Sequence, residues 1–69
     1  MAFEDRFEKI IKEKGLPKAE VARRIGLSIS TFNYKSKRLT AWNVMEFNKM
    51  IEVLNLTDEE VDFLTAEVV

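Results

Sequence analysis

Gly15 and Gly26 are the only glycines in 69 residues, and each stands where an apolar stripe of helical spacing runs out. A residue that enters the left-handed conformation without a Cβ penalty ends a helix at little cost, so both read as helix stops. Asn55, which shares that tolerance, closes a later stripe in the same way. A chain of this length buries only about 60% of its unfolded surface, so it has room for one shared core and no second domain. The expectation is a single all-α domain over residues 1–69, built from five short helices.

The first helix is expected over about 3–14, because Phe3, Phe7, Ile10 and Ile11 follow the i, i+4, i+7, i+8 spacing of one buried stripe. The second covers about 17–25, with Pro17 in its first turn, where a missing N–H is harmless, and Val21, Ala22 and Ile25 inward. The third covers about 28–37. Ser28 or Ser30 caps it, and Ser28 leaves better room for Phe32 to point inward. The segment from Lys35 to Trp42 is less regular and reads as a loop with Leu39 and Trp42 as its apolar residues. Asn43 followed by Glu46 is a capping box that opens a fourth helix over about 43–54. Val44, Phe47, Ile51 and Leu54 are expected on its inner face, with Met45 and Met50 as further packing. Thr57 and Glu60 repeat the box and open a fifth helix over about 58–66, with Val61 and Leu64 inward.

There is no cysteine and no histidine, which removes disulfides and most zinc, haem and thiol chemistry. No nucleophile–base arrangement or Gly-rich phosphate loop is present, so no catalytic residue, cofactor, metal or small-molecule substrate is expected. The acidic group Asp58, Glu59, Glu60 and Asp62 crowds a helix N-terminus, where the helix dipole already favours it, so capping is the simpler account than a metal site. The opening MAFEDRFEKIIKEKG does not read as a signal peptide, and no run approaches the roughly 20 apolar residues of a membrane span. A cytoplasmic location is the expectation.

Net charge is −1, yet the charge is unevenly placed. From Lys18 to Arg38, six basic residues (Lys18, Arg23, Arg24, Lys35, Lys37 and Arg38) oppose Glu20 alone, a local +5. From Leu39 onward, seven carboxylates oppose Lys49, a local −6. Screening over about 8 Å at physiological salt lets one face act independently of another, so the middle third is the part suited to phosphates. With Phe32 inward, helical spacing puts Ile29, Ser30, Asn33, Tyr34 and Lys37 on the outside, a set suited to base edges. Lys18, at a helix start, suits a phosphate. Arg23 and Arg24 read as a solvated face, and Trp42 as a core plug.

The stretch PKAEVARRIGLSISTF resembles the helix-turn-helix regulators of the phage lambda repressor and Cro class. The likeness lies in a polar opening residue (Lys18), a small residue inside the first helix (Ala22), Gly26 at the turn, apolar Leu27 after it and the anchor Phe32. The following LTAWNVMEFNKMIEVLNLTDEEV is similar to the fourth and fifth helices of that class, so the likeness covers essentially the whole chain. It implies a five-helix lambda-repressor-like domain that binds double-stranded operator DNA, with the third helix in the major groove. It also implies phosphate contacts from Ser28, Thr31, Lys35, Arg38, Thr40 and Asn43 beside Lys18. The family buries an apolar residue three positions past the anchor, where this chain has Lys35. Either its stem lies along the core edge, or the third helix ends early and Leu39 or Trp42 fills the gap.

A single recognition helix covers too little surface for high specificity, so a homodimer on DNA is expected. Phe63, Leu64, Val68 and Val69 are the candidate dimer contacts, with a fraying tail as the competing account. A different class of function also fits: a protein-binding, antirepressor-like modulator that uses the same fold on a partner repressor.

Overall fold

Phe7, Phe32 and Trp42 come from three separate parts of the chain and meet at its centre. Ring centroids lie 5.6 Å apart for Phe7 and Phe32, and 5.8 Å for Phe7 and Trp42. Phe32 and Trp42 meet edge to face at 6.2 Å. Such pairs add about 0.5–1.5 kcal/mol each to the burial of their area. Ile10, Ile11, Val21, Ala22, Ile25, Met50, Leu54 and Leu64 complete the core around them.

The computed structural model describes residues 2–66. Five helices carry that core: α1 (Phe3–Lys14), α2 (Lys18–Ile25), α3 (Ile29–Lys35), α4 (Val44–Leu54) and α5 (Asp58–Thr65). A 3₁₀ turn, Leu39–Ala41, joins α3 to α4, and no strand occurs among the described residues. The chain packs α1 on α5, α2 on α4, and α2 on α3, with the 3₁₀ turn against α3.

The stops work as expected. Gly26 is left-handed (φ 93°), and the next two N–H groups turn back: Gly26 N–H donates to Arg23 O at 3.1 Å and Leu27 N–H to Ala22 O at 2.9 Å. That bonding satisfies carbonyls α2 would leave open and seats Leu27 against the core. Asn55 (φ 51°) does the same for α4, with Leu56 N–H on Ile51 O at 3.0 Å. Both capping boxes form: Asn43 with Glu46, and Thr57 with Glu60.

Four expectations change. First, α3 ends at Lys35 instead of near 37. Ser36 is buried and its hydroxyl donates to Asn33 O at 2.7 Å, while the Trp42 indole N–H donates to Lys35 O at 2.9 Å. The indole takes up a carbonyl that a longer helix would have bonded itself. Second, the loop expected before Trp42 contains the 3₁₀ turn, closed by Trp42 N–H on Leu39 O at 3.1 Å. Third, Val44 and Met45 are not packed inward: they are 76% and 77% exposed, since no described element covers the first turn of α4 on that side. Fourth, Leu64 is 1% exposed and belongs to the core, which corrects its place among surface dimer contacts.

Candidate nucleic-acid interface

α3 is anchored on one side only. Phe32 is its one fully enclosed side chain, and the Ser28 hydroxyl fixes its start by accepting the Thr31 N–H at 3.2 Å. With the anchor and the cap set, the outer surface follows from helical geometry. Ile29, Ser30, Thr31, Asn33 and Tyr34 are all exposed, Ile29 by 44% and Tyr34 by 65%. Lys37 and Arg38 extend this surface past the helix end, and Thr40 follows on the 3₁₀ turn, all exposed.

These residues divide by whether their side chains are already engaged. Among the described residues, Ile29, Ser30, Asn33, Tyr34, Lys37, Arg38 and Thr40 hold no side-chain hydrogen bond or ion pair within the domain. Ser28 and Thr31 are bonded to each other, hydroxyl to hydroxyl, at 3.0 Å. Asn43 spends its side-chain carbonyl on the Glu46 N–H at 2.7 Å, as helix cap. Lys18 is paired with Glu8 of α1.

Lys35 is corrected most. Its side chain is only 15% exposed, and its ammonium donates to Ala41 O at 2.7 Å and faces Glu46 at 2.8 Å. Both readings offered for it hold together: the stem lies along the core edge, and the helix ends there with Trp42 filling the gap. A lysine so occupied is not a free phosphate ligand. Its ammonium holds the Glu46 carboxyl below its ordinary range, helped by the Asn43 N–H.

Arg23 and Arg24, read as a solvated face, share one carboxylate. Glu20 accepts from Arg23 at 2.6 Å and from Arg24 at 2.7 Å, which lowers its pKa to about 2, Arg23 being the larger cause. Four of the six basic residues in the middle third therefore have acidic partners. Sequence reading missed this because Glu8 and Glu46 lie outside the basic segment and reach into it through the fold. Lys37 and Arg38 remain the unpaired cations next to α3.

Away from α3, Phe63 is half-buried against the core with the Lys9 ammonium 5.5 Å above its ring. Val68 and Val69 lie outside the described residues. In the acidic group of α5, Glu60 accepts from the Thr57 N–H at 2.9 Å and pairs with Lys14 at 2.9 Å, a capping role. Among the described residues no three acidic side chains converge as metal ligands, and no helix is long and apolar enough to cross a membrane. Comparison with family models, with curated proteins and with solved structures finds no match for the chain.

One surface had no counterpart in the sequence reading. A groove of about 280 Å³ opens between the 3₁₀ turn and α4, walled by Leu39, Trp42, Val44 and Phe47. The only sequence signal for it is the density of apolar residues between Leu39 and Phe47, which the inward phase assumed for α4 had already used up.

Proposed function

We propose that the chain is a sequence-specific double-stranded DNA-binding transcriptional regulator, a helix-turn-helix domain of the lambda repressor and Cro kind. One observation carries this reading: α3 is held by a single buried anchor, Phe32, while Ile29, Ser30, Asn33 and Tyr34 stand exposed and unengaged on its outer side. A helix so presented suits a major groove about 12 Å wide. Asn33 is the residue type that pairs with both N6 and N7 of adenine, Ser30 is adaptable, and Ile29 suits a thymine methyl. Lys37 and Tyr34 serve base edges or backbone, and Arg38 and Thr40 the backbone that sets register. Regulation follows from occlusion: a protein seated over an operator blocks polymerase or a competing repressor.

The test is selection from a pool of random duplexes, followed by binding titrations on the enriched sequence. Enrichment of one motif is expected. Replacing Ser30 and Asn33 together by Ala should relax the preference at the bases they read while the melting temperature stays within a few degrees of the parent. An unchanged preference would overturn the assigned readout.

A second reading draws on the ion pairs. With Lys18 and Lys35 paired to Glu8 and Glu46, and Arg23 and Arg24 sharing Glu20, the same exposed helix suits a partner repressor protein, in the manner of an antirepressor. Failure to enrich any motif, together with saturable binding to such a repressor, would put that reading in place of the first.

A further inference from the structure

Lys35 is fastened to the residues just before α4 by both of its polar ends. Its ammonium donates to the Ala41 carbonyl at 2.7 Å, and its own carbonyl accepts the Trp42 indole N–H at 2.9 Å. The segment from Ser36 to Ala41 is thereby a loop clasped at its base. Two further bonds cross it, Arg38 N–H to Lys35 O and Ala41 N–H to Arg38 O, each at 3.2 Å. A last fastening lies outside the loop. One oxygen of Glu46 faces the Lys35 ammonium at 2.8 Å and accepts the Asn43 N–H at 3.2 Å, which joins the clasp to the capping box of α4.

The exposed side chains of this loop are Lys37, Arg38 and Thr40. Lys37 and Arg38 are also the two cations of the middle third that no carboxylate holds. The loop that carries them is therefore tied down at its base while its cations stay free.

We propose that Lys35 is a positioning residue: by closing the loop it sets where Lys37, Arg38 and Thr40 meet backbone phosphates, and it touches no phosphate itself. This role rests on the DNA-binding reading. A loop ordered only on binding loses its freedom at that moment, and the loss is subtracted from affinity. A loop already closed avoids it. An apolar side chain of similar length would cover the core edge equally well but would fasten nothing, so the ammonium is what the loop needs from this position. The phase of α3 is fixed separately, by the Phe32 anchor and the Ser28 cap. Base preference and phosphate positioning are thus separable in this domain, and Lys35 governs the second alone.

The experiment compares the wild type with the double variant Lys35→Met, Glu46→Gln. Methionine keeps the stem, and glutamine keeps the acceptor that the capping box requires, so the change leaves no unpaired charge behind. Trp42→Phe is the second variant; it removes the indole N–H and keeps an aromatic ring in the core. Without DNA, backbone NMR order parameters from Ser36 to Ala41 should be about 0.85 in the wild type, as in rigid backbone, and should fall in both variants while those of α1 do not.

On the duplex enriched by selection, both variants should bind about tenfold more weakly. Their ranking of single-base changes and their salt slope should match the wild type, because the same contacts form from a looser start. Arg38→Ala is the contrast, since loss of a phosphate contact lowers the slope by about one. Unchanged order parameters or unchanged affinity in the variants would overturn the positioning role. A slope lowered by about one in the Lys35 variant would also overturn it, because the lysine would then be a phosphate ligand. A wild type that binds no duplex sinks the DNA reading and takes this role with it, an outcome distinct from variants that bind as well as the wild type does.

Discussion

The Glu46 carboxylate accepts the Asn43 N–H at 3.2 Å and faces the Lys35 ammonium at 2.8 Å, and its affinity for a proton falls accordingly. Glu60 is lowered in the same sense, first by the Thr57 N–H and then by Lys14. A carboxyl whose folded pKa is depressed binds protons more readily in the unfolded chain, so acid favours unfolding. The stabilisation is fully present above the ordinary value of 4.5 and is lost as pH falls below it toward the folded values. Thermal midpoints should therefore be flat near neutral pH and fall between pH 5 and pH 3. A Glu46→Gln, Glu60→Gln double variant should show a shallower fall; an identical pH profile would mean that neither carboxylate is coupled to folding. Lys35 shows what a single side chain leaves unread in sequence. The resemblance to the lambda repressor and Cro class marked it as a departure, three positions past Phe32, but its partners, Ala41 and Glu46, are set by the 3₁₀ turn and the position of α4, which no local pattern encodes.

Several helix boundaries rest on chemistry that sits within a few residues, and this explains which of them were legible. Asn43 with Glu46, Thr57 with Glu60, and Gly15, Gly26 and Asn55 as stops all act locally, and the helices they bound start or finish within a residue of expectation. The end of α3 is different, because the Lys35 carbonyl there accepts the Trp42 indole N–H from seven residues away as well as the nearby Arg38 N–H. The outer face of α3 was legible for the same reason as the caps: one anchor, Phe32, fixes its phase. The first turn of α4 was misread because an apolar stripe tells which residues share a face and not how far the neighbouring helices extend along it. The Gly26 stop can be tested in isolation. A Cβ built there meets nothing within 4 Å, so Gly26→Ala carries only the conformational cost of φ 93°. That cost is about 1–2 kcal/mol. Urea denaturation should show a lower midpoint with an unchanged slope. No loss of stability would mean that the α2–α3 turn relaxes to another conformation.

Across the whole molecule, the ion pairs tie elements together while thinning the field that α3 presents. Lys18–Glu8 links α2 to α1, Lys14–Glu60 links α1 to α5, and Lys35–Glu46 links α3 to α4. The local +5 of the middle third is therefore offset by carboxylates from outside it, and binding to DNA should release few counterions. With Lys37 and Arg38 free, and Arg23 and Arg24 sharing Glu20, about two to four phosphates per domain is the expectation. The logarithm of affinity should then fall with the logarithm of salt at a slope of roughly −2 to −4 per domain. A slope of roughly twice that size would mean that the internal ion pairs open when DNA arrives, and a slope near zero would argue for a protein partner.

The guanidinium of Arg6, buried in α1, donates to the carbonyl of Ala66 just beyond α5. Residues at opposite ends of the described chain are thus immediate neighbours, brought together as α1 packs on α5. In topological terms the fold is nearly a closed ring. A short peptide joining the two ends of the described chain would leave the path of the backbone unchanged, and the ring can then be cut at a joint between two helices. The order in which the helices are synthesised is separable from the shape they adopt, and α3 keeps the same support in either chain.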